Sequence, residues 1–255
     1  MISTRSSTSW TARRYRSPRP GGSGPGAGRL CRARPSCRDT SPAVRCPTVG
    51  IFHRAVIVPT KEQLIARWIP TQQWGTPAAT PLEVIGSYRL DDPNGRVGME
   101  TFLVNAGGTV LQVPLTYRDE PLDGAEGALI TEMQHSVLGN RWVYDGLGDP
   151  LFLVMIAAVA MTGQGEALGM AVYDGCWYVA PTNVRIQGGG WSQERVPVDG
   201  LELVSGGATR AVFQNDRFEL TVFRRPVPGP RPALGLTGSW PERTDTVVLA
   251  EVCER

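Results

Sequence analysis

Three strand-like segments joined by short turns constrain the fold most strongly. The segments LEVIGSYRL (82–90), GMETFLVN (98–105) and TVLQVPLTYR (109–118) are rich in β-branched and aromatic residues. The turn-forming sequences DDPNG and AGG separate them. Strands that follow one another through such short connections pair in antiparallel orientation. The sequence therefore predicts an antiparallel meander over 82–118, with Pro114 at an edge or a bulge.

Two helices are predicted on either side of this meander. Thr60 and Gln63 have the spacing of a capping box, which predicts a first helix over about 61–69. Asp149 is a suitable N-cap for a second helix over 150–161. This second helix is apolar on all sides, so we expect it to be largely buried. Its apolar run has 11 residues, too short for a membrane helix, which needs roughly 20.

From residue 163 onward the pattern is β-rich again. Short runs such as LELVSG and RFELTVF are separated by Gly, Asp and Asn. The sequence as a whole predicts an α+β fold that is dominated by antiparallel sheet and has two main helices. We assign the meander and both helices to one domain, 49–162, and expect a small β-rich unit, 163–255, to follow.

The first 48 residues differ in composition from the rest. They carry ten arginines and one acidic residue, a net charge of +9, whereas 49–255 carries −7. Their Pro/Gly/Ser/Arg-rich sequence has no apolar periodicity, so we expect 1–48 to be disordered. Three interpretations stay open: a basic arm that contacts nucleic acid or an anionic surface, a transit-like segment, or translated upstream sequence outside the native protein. The abrupt change at Val49 favours the last.

The sequence offers few residues for catalysis or metal binding. Its two histidines, His53 and His135, are far apart, and its five cysteines include no C-x-x-C pair. No G-x-x-x-x-G-K-[ST] phosphate loop occurs, and Lys61 is the only lysine. We therefore predict no catalytic residue, no metal site and no cofactor.

Tryptophans are the strongest candidates for binding. Trp68, Trp74 and Trp142 lie in the predicted folded part of the chain. Because aromatic faces stack on sugar rings as well as on other side chains, these three are candidate ligand or interface residues. Packing in the core or beneath loops stays open for each of them.

Several segments together resemble the N-terminal cap domain of actinobacterial maltokinases. RWIPTQQW (67–74) resembles the tryptophan–proline–tryptophan sequence that opens this domain, and LQVPLTYRDEPL (111–122) resembles its next strand. RWVYDGLGDPLFLVMIAAV (141–159) resembles the segment in which an aspartate–proline pair starts the last cap helix. The resemblance extends over about 50–162, and it is strongest to stand-alone cap-like proteins that have no kinase catalytic lobe.

A further segment resembles the start of the kinase N-lobe. ATRAVFQNDRFELTVFRRPVPGPRP (208–232) is similar to the maltokinase hairpin that begins the ATP-binding lobe. In that family the second strand carries a lysine, then a hydrophobic pair and two arginines. The lysine position falls on Thr221, whereas Arg224 and Arg225 are kept. The resemblance implies that these three are nucleotide-strand positions. We expect no catalytic-loop or Mg²⁺-binding aspartate in the chain, as in a pseudokinase.

The resemblance implies a non-catalytic, cytoplasmic protein that acts as a binding or regulatory partner in maltose, trehalose or α-glucan metabolism. Its partner would be an enzyme or kinase of that metabolism. One alternative is a subunit of a split, maltokinase-like sugar kinase, which would use ATP and Mg²⁺. Another is a carbohydrate-binding module. We expect neither a membrane nor a nucleic acid as partner, and the oligomeric state stays open.

Overall fold

The structure is a computed structural model that describes residues 50–51, 56–173, 176–180, 182–192 and 198–255. The predicted arm, 1–48, lies outside these described residues. The described residues all belong to one compact unit, Arg45–Arg255.

Strands make up most of the described chain. They are β1 (Gly50–Ile51), β2 (Ile57–Val58), β3 (Leu82–Leu90), β4 (Gly98–Ala106), β5 (Thr109–Arg118), β6 (Leu129–His135), β7 (Gly139–Asp145), β8 (Gly169–Tyr173), β9 (Cys176–Val179), β10 (Arg185–Gly188), β11 (Glu202–Gly206), β12 (Arg210–Gln214), β13 (Phe218–Pro228), β14 (Gly235–Trp240) and β15 (Arg243–Glu254). The two described α-helices are α1 (Lys61–Trp68) and α2 (Pro150–Thr162). Short 3-10 turns occur at Ile69–Thr71, Glu126–Ala128 and Gly146–Gly148.

Two six-stranded antiparallel sheets contain most of these strands. The N-terminal sheet has the order β2–β6–β7–β5–β4–β3, and the C-terminal sheet has the order β10–β14–β15–β13–β12–β11. A third sheet has the order β1–β8–β9, and its β1–β8 pair is parallel. The predicted dominance of antiparallel sheet, with two helices, is confirmed. The likeness of the C-terminal sheet to a kinase N-lobe, and a domain boundary near 162, stay predictions.

Both predicted helices are present. At the start of α1, the Thr60 hydroxyl accepts a hydrogen bond from the Gln63 N–H, and the Gln63 side chain accepts one from the Thr60 N–H. At the start of α2, the Asp149 carboxylate accepts from the Leu151 N–H at 3.0 Å. This helix ends at Gly163, whose φ of 70° is a left-handed conformation that glycine adopts without strain.

The predicted meander is present as β3, β4 and β5, with its ends within one residue of the prediction. Pro114 differs from its predicted place, since β5 is central in the N-terminal sheet. Pairing of β5 with β7 begins at Leu115, one residue beyond the proline. The missing N–H of Pro114 therefore lies where one neighbouring strand has already ended, so it costs no ladder hydrogen bond there.

The N-terminal sheet is covered on both faces. On one face, Phe102 and Val104 of β4 pack with α1 and Trp74. On the other, Met99 and Leu103 of the same strand pack with α2 and the C-terminal sheet. Because side chains alternate along a strand, coverage of both faces explains why β4 and β5 are almost continuously buried.

A buried glutamine joins the two large sheets. The Gln112 side-chain amide donates to the carbonyl oxygens of Phe223, at 2.9 Å, and Leu249, at 3.1 Å. Its oxygen accepts from the Tyr88 hydroxyl at 3.1 Å. The register between β13 and β15 shifts just after Val222, so the ladder is interrupted there. Gln112 thus supplies donors to carbonyl groups beside this irregularity, where they are buried.

A second buried polar contact attaches α1 to the N-terminal sheet. The Lys61 ammonium group forms an ion pair with Glu100, which also accepts from the Ser87 hydroxyl. Burial favours the protonated form of Glu100. The charges of Lys61 and Arg89 and these hydrogen bonds outweigh it, so the pKa of this carboxyl lies below its ordinary value.

In the part of the chain that the structure describes, neither α1 nor α2 is long and apolar enough to cross a membrane.

Candidate functional site

Strand β13 carries the three predicted nucleotide-strand positions on two different faces. Phe218, Leu220 and Val222 point toward the core and are fully buried. Arg224 follows on the same buried face, whereas Thr221 and Arg225 lie on the opposite one. The structure therefore separates Thr221 from Arg224.

Two carboxylates lie close to Thr221 on its face of the sheet. Thr221 lies opposite Val212 of β12 and Glu251 of β15. Glu219, two residues earlier on the same face, accepts a hydrogen bond from the Gln214 amide at 2.6 Å. Burial and then the negative charges of Glu251 and Glu219 raise the pKa of the neighbouring Cys253 thiol. The position predicted for a phosphate-binding cation thus lies among carboxylates.

Arg224 is held inside the protein. Only 4% of it is exposed, and its Nη2 donates to the Asp145 carboxylate in an ion pair. Its guanidinium carbon lies 4.2 Å from the centroid of the Trp74 ring, a cation–π distance. Its Nη1 is buried and has no hydrogen-bond partner among the described residues. Arg224 therefore joins the C-terminal sheet to the segment that contains Trp74 and Asp145.

Arg225 is half-buried on the other face of β13. Its backbone N–H donates to the Thr209 carbonyl at 3.1 Å. Its Nε is buried without a hydrogen-bond partner among the described residues. Arg225 does not contact the cavity described below.

Two aspartates lie at the end of β7 and the start of α2. Asp145 accepts from the Leu147 N–H and so caps the 3-10 turn that follows it. Asp149 is fully buried, caps α2 and receives two hydrogen bonds from the Arg118 guanidinium, at 2.7 and 2.8 Å. These hydrogen bonds raise the pKa of Arg118. The sequence DGLGDP thus positions two carboxylates through local capping.

The three predicted tryptophans do not share one environment. Trp68 and Trp74 contact each other edge to face, with centroids 5.3 Å apart and ring planes at 74°. Trp74 is only 8% exposed, whereas Trp68 is half-buried. Trp142 lies on β7 between Arg118 and Glu132 of the neighbouring strands, away from the other two rings. Their role in binding stays a prediction.

Trp68, Trp74 and Arg224 line one cavity of about 690 Å³. One wall is formed by the segment that contains Trp68 and Trp74, together with the start of β6 and the turn after Asp145. The opposite wall comes from β11, β12 and β13, including Phe213. The structure thus brings together three of the predicted site residues and leaves out Thr221, Arg225 and Trp142.

Sequence reasoning missed the other polar residues of the cavity. Asp145, Gln72 and Gln73 all line it. The two glutamines were visible as the amide pair between the tryptophans in WIPTQQW. In the sequence, Asp145 is recognisable only as a turn residue before glycine. Its ion pair could not be foreseen, because its arginine partner lies 79 residues further along the chain.

No group of three or more His, Cys, Asp or Glu side chains that could hold a metal ion occurs among the described residues. The polar side chains that line the cavity carry amide, hydroxyl, carboxylate, guanidinium and indole groups.

These features belong to a protein built from antiparallel sheets, with a ligand-sized cavity and two carboxylates beside Thr221 on the outer face of β13. More specifically, the family model of the maltokinase N-terminal cap domain matches residues 68–149, about a third of the chain. The match begins at Trp68 and ends at Asp149, so it includes β3 to β7 and one wall of the cavity. It confirms the predicted resemblance to this cap domain. No curated protein matches the chain.

Proposed function

We propose that this protein is a non-catalytic, cap-like relative of maltokinases that acts as a binding or regulatory partner in cytoplasmic maltose, trehalose or α-glucan metabolism. The observation that carries the proposal is the acidic environment of Thr221. The match to the cap domain supports the relationship. The partner role rests on the reasoning below.

A kinase strand at this position has to offer a cation to the phosphates of ATP. Thr221 has no charge, and Glu251 lies directly opposite it on the neighbouring strand. Glu219 adds a second carboxylate on the same face. Like charges repel at this range, so these two carboxylates disfavour a phosphate at the position of Thr221.

The two arginines that follow do not replace the missing lysine. Arg224 lies on the opposite face and is already neutralised by Asp145. Moving it toward a nucleotide would leave the partly exposed Asp145 carboxylate without its partner, which costs about 1–3 kcal/mol. Arg225 lies four residues beyond Thr221, too far along the strand to take over the same contact.

An exposed apolar strand supports the partner role. Trp177 and Val179 of β9 are 60% and 67% exposed, and Tyr178 between them is 52% exposed. Strand β9 is also the edge of its sheet. Contiguous exposed apolar groups at an unpaired edge are typical of protein-binding surfaces. An enzyme of glucan metabolism that packs against this strand would bury them.

An ATP titration of the native chain and of Thr221→Lys tests the non-catalytic part. We expect no saturable ATP binding and no phosphorylation of maltose by the native chain. A further variant in the same titration, Thr221→Lys/Glu251→Gln, restores the cation and removes the facing carboxylate. Thr131→Lys, on the other sheet, is the matched control for the added lysine. ATP binding by the native chain would overturn the proposal.

Affinity purification from the native host tests the partner role. We expect a glucan-pathway enzyme to co-purify with the native chain and to be lost with Trp177→Ser. Recovery of no such enzyme, or equal recovery with both baits, would count against the role proposed for β9.

A further inference from the structure

We propose that the cavity between the cap-like segment and the C-terminal sheet binds a neutral sugar of one to three rings. This site is separate from the Thr221 face, and its occupation needs neither ATP nor a protein partner. The inference therefore stands or falls independently of the function proposed above.

The size of the cavity suits such a ligand. Its volume of about 690 Å³ lies within the range of ordinary small-molecule pockets, roughly 300–1,000 Å³. Its two walls come from segments far apart in sequence, which is a frequent location for ligand sites. Gln112, Arg224 and Asp145 hold these walls together, so the cavity is formed before a ligand arrives.

The charges in the cavity favour a neutral ligand. The two charged side chains among the lining residues, Asp145 and Arg224, form an ion pair with each other. An anionic or cationic ligand would have to compete with this pair and would leave one partner unbalanced. The Asp145 side chain remains 17% exposed, and a carboxylate has about four acceptor sites. Two of its contacts are to Arg224 and the Leu147 N–H, so it keeps capacity to accept from ligand hydroxyl groups.

The remaining lining is amphipathic in the way that a sugar ring is. Gln72 and Gln73 offer amide donors and acceptors at one side. The half-buried ring of Trp68 and the apolar side chains of Phe213 and Leu203 offer surfaces for C–H groups. A sugar presents hydroxyl groups at its rim and C–H groups on its faces, so one ligand satisfies both kinds of surface.

Calorimetric and fluorescence titrations of the full chain with maltose, maltotriose, trehalose and cellobiose test the proposal. Glucose 6-phosphate is the charged comparison. We expect saturable binding of at least one neutral sugar, with a change in tryptophan emission, and binding of glucose 6-phosphate weaker by about tenfold or more, a difference of about 1.4 kcal/mol. No response to any neutral sugar at millimolar concentration would overturn the proposal, and so would binding of glucose 6-phosphate alone.

Variants locate the site. Gln73 is exposed, so Gln73→Ala leaves the fold intact, and we expect it to weaken sugar binding by about fivefold to tenfold, as the loss of one hydrogen bond predicts. Trp68→Ala removes the ring but also disturbs the core, so its folding is checked by urea unfolding. Trp191→Ala is the matched control, because Trp191 is 86% exposed and does not line the cavity. Binding that is lost with Trp191→Ala and kept with Gln73→Ala would place the sugar elsewhere and overturn the proposal.

Discussion

Asp145 and Asp149 lie four residues apart, and each accepts from the N–H two residues further on and pairs with an arginine. Asp149 is fully buried, and its partner, Arg118, belongs to the same cap-like segment. Asp145 is partly exposed, and its partner, Arg224, comes from the C-terminal sheet. The same local capping motif thus serves two purposes. One copy fixes the start of a helix, and the other joins two sheets and lines a cavity.

The difference in burial predicts different energetic roles. A carboxylate with no solvent contact depends wholly on its protein partners, whereas a partly exposed one regains water when its partner is removed. Asp149 should therefore matter most for stability, and the Asp145–Arg224 pair should matter more for how the sheets join and for the cavity between them.

The largest effect is expected for Asp149→Ala. Loss of the carboxylate removes the cap of α2 and leaves Arg118 without its partner, so we expect the free energy of unfolding to fall by about 3–5 kcal/mol. Urea denaturation monitored by circular dichroism measures this. Asp149→Asn keeps a capping oxygen and should lose less. Equal losses in both variants would mean that capping contributes little here.

A smaller effect is expected for Arg224→Met. The ion pair and the contact with Trp74 are lost, but Asp145 can be hydrated, so we expect a loss of about 1–3 kcal/mol. Arg225→Met, on the opposite face of the strand, is the matched control and should cost less than about 1 kcal/mol. A double-mutant cycle with Asp145→Asn isolates the pair, and a coupling energy near zero would contradict the proposed link between the sheets.

The Lys61–Glu100 pair is a third, partly buried ion pair, and it predicts how the stability of the protein changes at acidic pH. Because the pKa of Glu100 is lowered in the folded state, its charge contributes stability that is fully present above the ordinary carboxyl pKa of about 4.3. That stability is lost as the pH falls through the lower, folded pKa. The urea midpoint of the native chain should therefore decrease below about pH 5.

The control for this pH series is an exposed glutamate. Glu100→Gln should show a weaker decrease of the urea midpoint in acid, whereas Glu83→Gln should follow the native chain. An unchanged pH dependence in Glu100→Gln would show that other carboxyl groups cause the acid sensitivity.

The smallest effect on stability is expected for Thr221→Lys. Its side chain lies on the outer face of the same strand that buries Arg224, so the lysine can reach solvent. A nearby pair of carboxylates should offset the cost of substitution, and we expect a change within about 0.5 kcal/mol. A loss like that of Arg224→Met would contradict the assignment of the two faces.

Local signals allowed much of the fold to be predicted. The capping box at Thr60 and the cap at Asp149 predicted both helices, and the two turns predicted the three strands of the meander. The sequence of 127–148 does not by itself distinguish helix from strand, and the segment forms β6 and β7 between two 3-10 turns. Its two seven-residue strands do not alternate cleanly between apolar and polar residues, so pairing with neighbouring strands decides its structure.

The site was less predictable than the fold. Alternation along RFELTVF is enough to place Glu219 and Phe223 on the same face as Thr221. The same alternation places Arg224 on the buried face, but its ion pair could not be predicted, because arginine is rarely buried and its partner is distant in sequence. The cavity could not be predicted for the same reason, since its walls meet only through tertiary packing.

The only lysine of the chain has a practical consequence. Lys61 is held by Glu100 and lies close to the rings of Phe102 and Tyr117. The ion pair and the packing restrict access to this amine, whose side chain is 26% exposed, so acylating reagents should react with it faster when the contact between α1 and the sheet opens. Apart from the terminal amine, the rate at which a mass increment appears on the peptide that contains Lys61 would therefore depend on this opening. The labelling rate of this one peptide can therefore be used to follow how often α1 separates from the N-terminal sheet.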